Sequence, residues 1–168
     1  MSTRSIGSTN TFSSIKTFFQ KDAVMTMPLI HVCNFIELEN PLEDARIVSV
    51  DGYAEPLVGG LVQHRFLVLR LQRPKRKDIW MRVDRRRNHG ISAIRFALAG
   101  GITEANDEVK LSANQDQLLG KASLESSQDL VNQPTFRNLS SLCRIISAQL
   151  AQYRFWPENC WFFCSLVQ

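Results

Sequence analysis

The segment LVQHRFLVLRLQ, residues 61 to 72, constrains the fold more than any other stretch of this chain. Its β-branched, aromatic and leucine-rich alternation reads as a strand. Strand periodicity sets His64, Phe66, Val68 and Arg70 on one face and Arg65, Leu67, Leu69 and Leu71 on the other. The basic turn RPKRK follows, and then DIWMRVDRR, a second strand and the natural antiparallel partner of the first. Trp80, Arg82 and Asp84 share a face of this second strand. Hairpin pairing brings His64, near the start of one strand, towards Asp84, near the end of the other, with the register left open.

A chain of 168 residues is long enough to bury a core and short enough for one domain. With 44% hydrophobic and 21% charged residues it belongs with globular proteins, not disordered or fibrous ones. No apolar run reaches membrane-spanning length, and the polar first ten residues lack a secretory h-region. An intracellular, cytoplasmic location is therefore expected. Cysteines 33, 143, 160 and 164 have neither zinc-ligand spacing nor the density of a secreted disulfide scaffold, so reduced thiols are expected. No metal or organic cofactor is implied. Nine of the twenty basic residues fall between Arg70 and Arg87. Lys75, Arg76, Lys77, Arg85, Arg86 and Arg87 are the candidates there for binding phosphate or nucleic acid. The competing reading is a solvated hairpin end whose charge discourages strand-to-strand association.

Residues 1–27 read as a polar tail followed by an amphipathic helix, with Phe12, Ile15, Phe18 and Phe19 at helical spacing and Pro28 ending it. Residues 28–168 form the expected single domain. Within it, residues 29–38 read as an extended apolar segment that packs His31. Arg46 to Val50 reads as a strand closed by an Asp51-Gly52 turn, and residues 91–101 as a further strand. Glu104 to Asp107 is expected as exposed loop, EVKLS as a short strand, and residues 113–133 as a long surface connection with one helical turn near Asp116 to Gly120. After a turn-forming entry at Pro134 to Asn138, a helix carries Leu139, Leu142, Cys143, Ile146 and Leu150 on one stripe. The fold class is thus α+β, an antiparallel sheet packed against a C-terminal helix pair.

The last sixteen residues, YRFWPENCWFFCSLVQ, hold the strongest chemical signal. A helix beginning near Asn159 carries Cys160 on its first turn, where unpaired N–H groups and the helix dipole favour a thiolate. Asn159 suits the cap, and Glu158 suits the positive helix end while opposing a nearby thiolate. A cysteine in such a run also serves simply as a small apolar side chain. Cysteine hydrolases and acyltransferases combine a thiolate, an imidazole that takes and returns a proton, and a third group that orients the imidazole. Cys160, His64 and Asp84 are the residues that fit these three roles.

Tyr153, Phe155, Asn159, Cys160 and Phe163 follow the pattern Y-x-[apolar]-x-x-x-N-C-x-x-F. This resembles the nucleophile segment of circularly permuted papain-like proteins, among them the lecithin-retinol acyltransferase, PPPDE and NlpC-like groups, in which the histidine strand precedes the cysteine helix. HRFLVLRLQRP, IWMRVDRR, DEVKLS and YRFWPENCWFF together also resemble a group of uncharacterised proteins from mushroom-forming fungi. The resemblance implies a permuted papain-like fold with Cys160 as nucleophile, His64 as base, Asn159 and Tyr153 in support, and an amide, ester or thioester substrate. The acyltransferase group often places a second histidine on the next strand, where this hairpin offers Asp84 or Arg82; His89, in the following turn, is a weaker candidate. Only eight residues follow Cys160, which suggests a domain clipped at its C-terminus. A non-catalytic papain-like binding or regulatory module is the alternative, and nucleic-acid or phosphate binding through the basic hairpin is the third.

Overall fold

Leu67, Leu69 and Leu71 are completely buried on one face of a strand, and His64, Phe66 and Val68 are buried on the other. A strand closed on both faces must lie inside a sheet that is covered on both sides. The computed structural model describes residues 24–39, 44–56, 63–87, 98, 102–149 and 152–154. Its strands are β1 (Met25–Pro28), β2 (Arg46–Pro56), β3 (Gln63–Gln72), β4 (Ile79–Arg87), β5 (Ile102–Ser112), β6 (Ser123–Asp129) and β7 (Gln152–Arg154). Its helices are α1 (Leu29–Glu39), α2 (Asp116–Leu119) and α3 (Phe136–Gln149). The architecture is α+β. Six strands pair antiparallel in the order β1-β5-β4-β3-β2-β6, and β7 pairs separately with β5.

The β3–β4 hairpin pairs as its alternation requires, with Leu69 opposite Met81 and Phe66 opposite Asp84. Leu67, Leu69, Leu71, Ile79, Met81, Val83, Val109 and Leu111 form the face packed against α1 and α3. A smaller cluster of Tyr53, Phe66, Val68 and Leu118 lies on the opposite face, beneath α2. A register shift between Ile47 and Ser49 turns both Ile47 and Val50 towards the helical core. The same irregularity fastens the chain that leads into α3, because Leu130 N donates to Val48 O and Ile47 N donates to Pro134 O, both at 2.9 Å.

Residues 29–38 are not extended. Leu29, Val32, Cys33 and Ile36, all buried, recur at i, i+3, i+4 and i+7, which is the period of a helix face. The density of apolar residues masked that period, and His31 projects to solvent. Asp51 and Gly52 do not close a turn; β2 runs through them to Pro56, with Gly52 opposite Leu67. Glu104 to Asp107 is strand: Ala105, Asn106 and Asp107 pair with Arg87, Arg86 and Arg85 of β4, and Glu104 pairs with Gln152 of β7, so the polar residues that suggested a loop have cross-strand partners. Ser123–Asp129 is also strand. Every residue of β6 is exposed, as befits a polar edge that discourages further pairing, and this erased the alternation that would have revealed it.

Helix α3 begins at Phe136, earlier than its apolar stripe indicates, because Thr135 caps it. Asn138 N donates to Thr135 Oγ1 at 3.2 Å while Thr135 N donates to Asn138 Oδ1 at 3.0 Å, a reciprocal capping arrangement. Its buried face carries Phe136, Leu139, Cys143 and Ile146, whereas Leu142 is 38% exposed and leaves the expected stripe. Among the described residues, the helix that packs beside α3 on the sheet is α1, from the N-terminal part of the chain. The expected helices at residues 11–25 and at Cys160, and the expected strand at 91–101, lie outside the described residues save for Val24, Met25 and Leu98. No helix among the described residues is long and apolar enough to cross a membrane.

Leu69→Ala removes a side chain that is wholly enclosed and is expected to cost about 3–5 kcal/mol in urea unfolding. Leu142→Ala is expected to cost less than about 1 kcal/mol. Equal losses would place Leu142 back in the core.

Candidate functional site

The segment RVDRR of β4 sorts its charges by alternation. Arg82, Asp84 and Arg86 point to the face beneath α2, and Arg85 points to the face beneath α1 and α3. On the first face β2 adds Glu55, opposite His64 on β3, and Phe66 sits opposite Asp84 on β4. His64, two residues before Phe66, is thereby diagonal to Asp84. The result is a cluster of His64, Glu55, Arg82, Asp84 and Arg86 built on three adjacent strands.

Asp84 is completely buried and His64 is 7% exposed. The His64 Nε2 lies 3.9 Å from Asp84 Oδ1, longer than a hydrogen bond in itself. Arg82 Nε donates to Asp84 Oδ2 at 2.7 Å and Arg86 Nε donates to Oδ1 at 2.9 Å. Arg82 is fixed from three further directions. Its Nη1 donates to Leu118 O at 2.9 Å, its Nη2 reaches Glu55 Oε2 at 3.5 Å, and its guanidinium carbon stands 3.5 Å over the Phe66 ring. Phe66 in turn stacks on Tyr53 at 5.7 Å. Burial alone would raise the Asp84 pKa, but the neighbouring His64 and the charges of Arg82 and Arg86 outweigh it and hold the carboxyl far below its ordinary range. Asp84 is therefore a permanent anion near neutral pH.

The opposite face holds a different arrangement. A cleft of about 320 Å³ opens there, with Cys33, Cys143, Arg85, Asp107 and Ser147 in its lining. Arg85 is fully buried and grips Asp107 with two bonds, Nε to Oδ1 at 2.7 Å and Nη2 to Oδ2 at 3.1 Å. Burial pushes the Cys143 thiol up to about 12, with Cys33 and Asp107 adding to the effect, and burial likewise raises Cys33. Thiols of this kind are inert. They are also separated from His64 by the sheet itself, so neither can serve as its nucleophile.

Of the residues marked in the sequence, the structure brings His64 and Asp84 together. Cys160 and Asn159 lie outside the described residues, as do the side chains of Tyr153 and Arg87. Lys75, Arg76 and Lys77 are exposed at the β3–β4 turn. Arg85 and Arg86 do not join them, the former being buried with Asp107 and the latter engaged by Asp84. Glu55 and the double arginine clamp on Asp84 were not anticipated, although the i, i+2, i+4 spacing of Arg82, Asp84 and Arg86 already sets all three on one face. Among the described residues no group of three or more His, Cys, Asp or Glu could hold a metal ion. The chain matches no protein-family profile, no curated protein and no solved structure.

The depressed Asp84 pKa has a definite sign in folding. An unfolded aspartate titrates near 3.8, so the stabilisation from this carboxylate is complete above about pH 5 and is lost as pH falls towards the lower folded value. Asp84→Asn is expected to cost about 3–5 kcal/mol at pH 7, since it strips the buried Arg82 of its counter-charge. Unfolding measured from pH 6 to pH 2.5 should show a steeper loss in the wild type than in the variant; parallel curves would remove Asp84 as the titrating group.

Proposed function

We propose that this protein is a thiol-dependent hydrolase or acyltransferase of permuted papain-like fold, acting on an amide, ester or thioester. The observation that carries the reading is the placement of the His64 imidazole against a permanently ionised, immobile Asp84 on one sheet face. An imidazole oriented by a buried carboxylate is the proton-handling half of such a site. Chain geometry supports Cys160 as the other half. Strand β7 ends at Arg154 opposite Ile102, at the same end of the sheet where β3 begins and β4 finishes. Six peptide units then separate Arg154 from Cys160, a reach of at most about 20 Å. The antiparallel sheet followed by a helix and then the cysteine segment fits the order expected of the permuted fold.

In this reading Nε2 of His64 faces Asp84, and Nδ1 takes the proton from the Cys160 thiol. The thiolate adds to the substrate carbonyl. Collapse of the tetrahedral adduct breaks the bond to the leaving group, which takes the proton from His64, and an acyl-thioester remains on Cys160. Water completes hydrolysis, and an acceptor hydroxyl or amine completes acyl transfer, each giving its proton to His64 as it attacks. Asn159 and Tyr153 support the segment that carries the nucleophile.

One observation favours a second reading. Asp84 already accepts from two arginines and His64 is almost wholly enclosed, as in a module where the cluster only fixes the sheet and Cys160 only packs. Labelling with a panel of thiol-reactive acyl probes separates the two. Labelling at Cys160 is expected to be abolished in Cys160→Ser and slowed about 100-fold or more in His64→Ala. Labelling that is absent in the wild type, or indifferent to His64, would establish the non-catalytic module.

A further inference from the structure

The charge of this protein is concentrated at one end of its central hairpin. Between residues 70 and 78, Arg70, Arg73, Lys75, Arg76 and Lys77 stand against the single carboxylate of Asp78, so the segment carries the same net charge, +4, as the whole chain. The turn itself is a built structure. Arg76 N donates to Arg73 O at 3.3 Å, Pro74 occupies the position after Arg73, and Lys75 follows with φ +57°. Proline at the second position with positive φ at the third defines a type II turn. That third position favours glycine or asparagine, and a lysine there is held in a backbone conformation that its side chain opposes.

The loop is braced as well. Arg73 turns its guanidinium back on the Lys77 carbonyl, with Nε at 3.0 Å and Nη2 at 2.6 Å, and Arg70 holds Asp78 at 2.8 Å. Two arginines thus rigidify the turn while Lys75, Arg76 and Lys77 are displayed to solvent. A general need for solubility does not require a strained lysine at the apex of a braced turn. Cations carried in a row on a braced backbone suit recognition of successive phosphates, because less backbone freedom is lost on binding.

We infer that the Arg73–Lys77 turn is a binding site for the phosphodiester backbone of a nucleic acid, engaged without base readout. The backbone positions of the three consecutive cations are at most about 7 Å apart from first to last, and their long side chains add the reach needed to meet neighbouring phosphates of one strand. A nucleic acid fits better than a membrane surface, because the turn offers no large apolar or aromatic side chain to enter lipid and a few cations alone give only weak membrane attachment. The surface is separate from the His64–Asp84 cluster, which lies towards the opposite end of β3 and β4, so it stands or falls independently of the catalytic proposal.

Binding of the full chain to a fluorescent DNA duplex of random sequence, titrated from 50 to 200 mM salt, tests this. The logarithm of the affinity is expected to fall with the logarithm of salt at a slope of about −2 to −3, as for three neutralised phosphates. The triple change Lys75→Ala, Arg76→Ala, Lys77→Ala should abolish both affinity and slope. Lys75→Gly should bind more weakly, with a shallower slope, and yet melt at a higher temperature, since glycine relieves the positive φ. Affinity unchanged in the triple variant, no binding at 50 mM salt, or preferential capture by phosphatidylserine vesicles at the same salt would each overturn the assignment.

Discussion

The carboxylate of Asp84 is the charge around which the rest of the sheet must be arranged. It sits on β4 with no exposure to water, and an ionised group in that position is tolerable only if counter-charges meet it with good geometry. Arg82 and Arg86 come from the same strand at spacings of two residues, so β conformation alone delivers them to the same face. A shift of one residue in the β3–β4 register would drive Asp84 into the face made of Leu67, Leu69, Val83 and Val109. The buried anion thus specifies register as firmly as the leucines do. On the other face Arg85 and Asp107 impose the same condition on β4 and β5. Two buried ion pairs, one on each face, hold the end of the sheet that carries His64.

That division explains why the two halves of the molecule differ in composition. The face under α1 and α3 is a continuous apolar core, and its cysteines are packing residues with elevated pKa values. The face under α2 has a short apolar patch at one end and polar machinery at the other. Helix α2 spans only Asp116–Leu119, yet it supplies both Leu118, which closes the patch, and the Leu118 carbonyl, which fixes Arg82. The small cover is sufficient because the cluster gains its rigidity from neighbouring strands and has little need of overhead packing.

Legibility in the sequence followed how strongly each segment advertised its period. The β3–β4 hairpin was readable because Leu67, Leu69 and Leu71 alternate with residues of a different kind; the meeting of His64 and Asp84 needed the register as well, which alternation leaves open and the folded pairing of Phe66 with Asp84 supplies. Helix α1 was hidden because its buried positions and some of its exposed ones, Ile30 among them, are apolar, so the short outer stripe of His31, Asn34 and Glu37 was lost in an apolar run. Strand β6 was hidden for the opposite reason, being exposed throughout. The N-terminal half of β5 looked like a loop since Glu104, Asn106 and Asp107 are all polar; their partners lie across the sheet on β4 and β7, and pairing over such a separation leaves no local trace. The clamp on Asp84 was half legible. Alternation put Arg82 and Arg86 beside it, but their commitment to the carboxylate depends on burial, which is a property of the folded chain.

The charges around His64 are balanced across the strands. Arg82 and Arg86 are matched by Asp84 and Glu55, and further along the same face Glu108 stands opposite Asp84 and Lys110 opposite Arg82. Towards the other end of that face Arg70 meets Asp78, and Asp51 accepts from Gln115 and Ser127. Each of these partners sits on the same or a neighbouring strand or turn, so the pairing that closes the sheet is also what makes its buried charges tolerable. The two arginines that clamp Asp84 hold its carboxylate in one place, so the position of that charge beside His64 is set by β4 and does not depend on the ring.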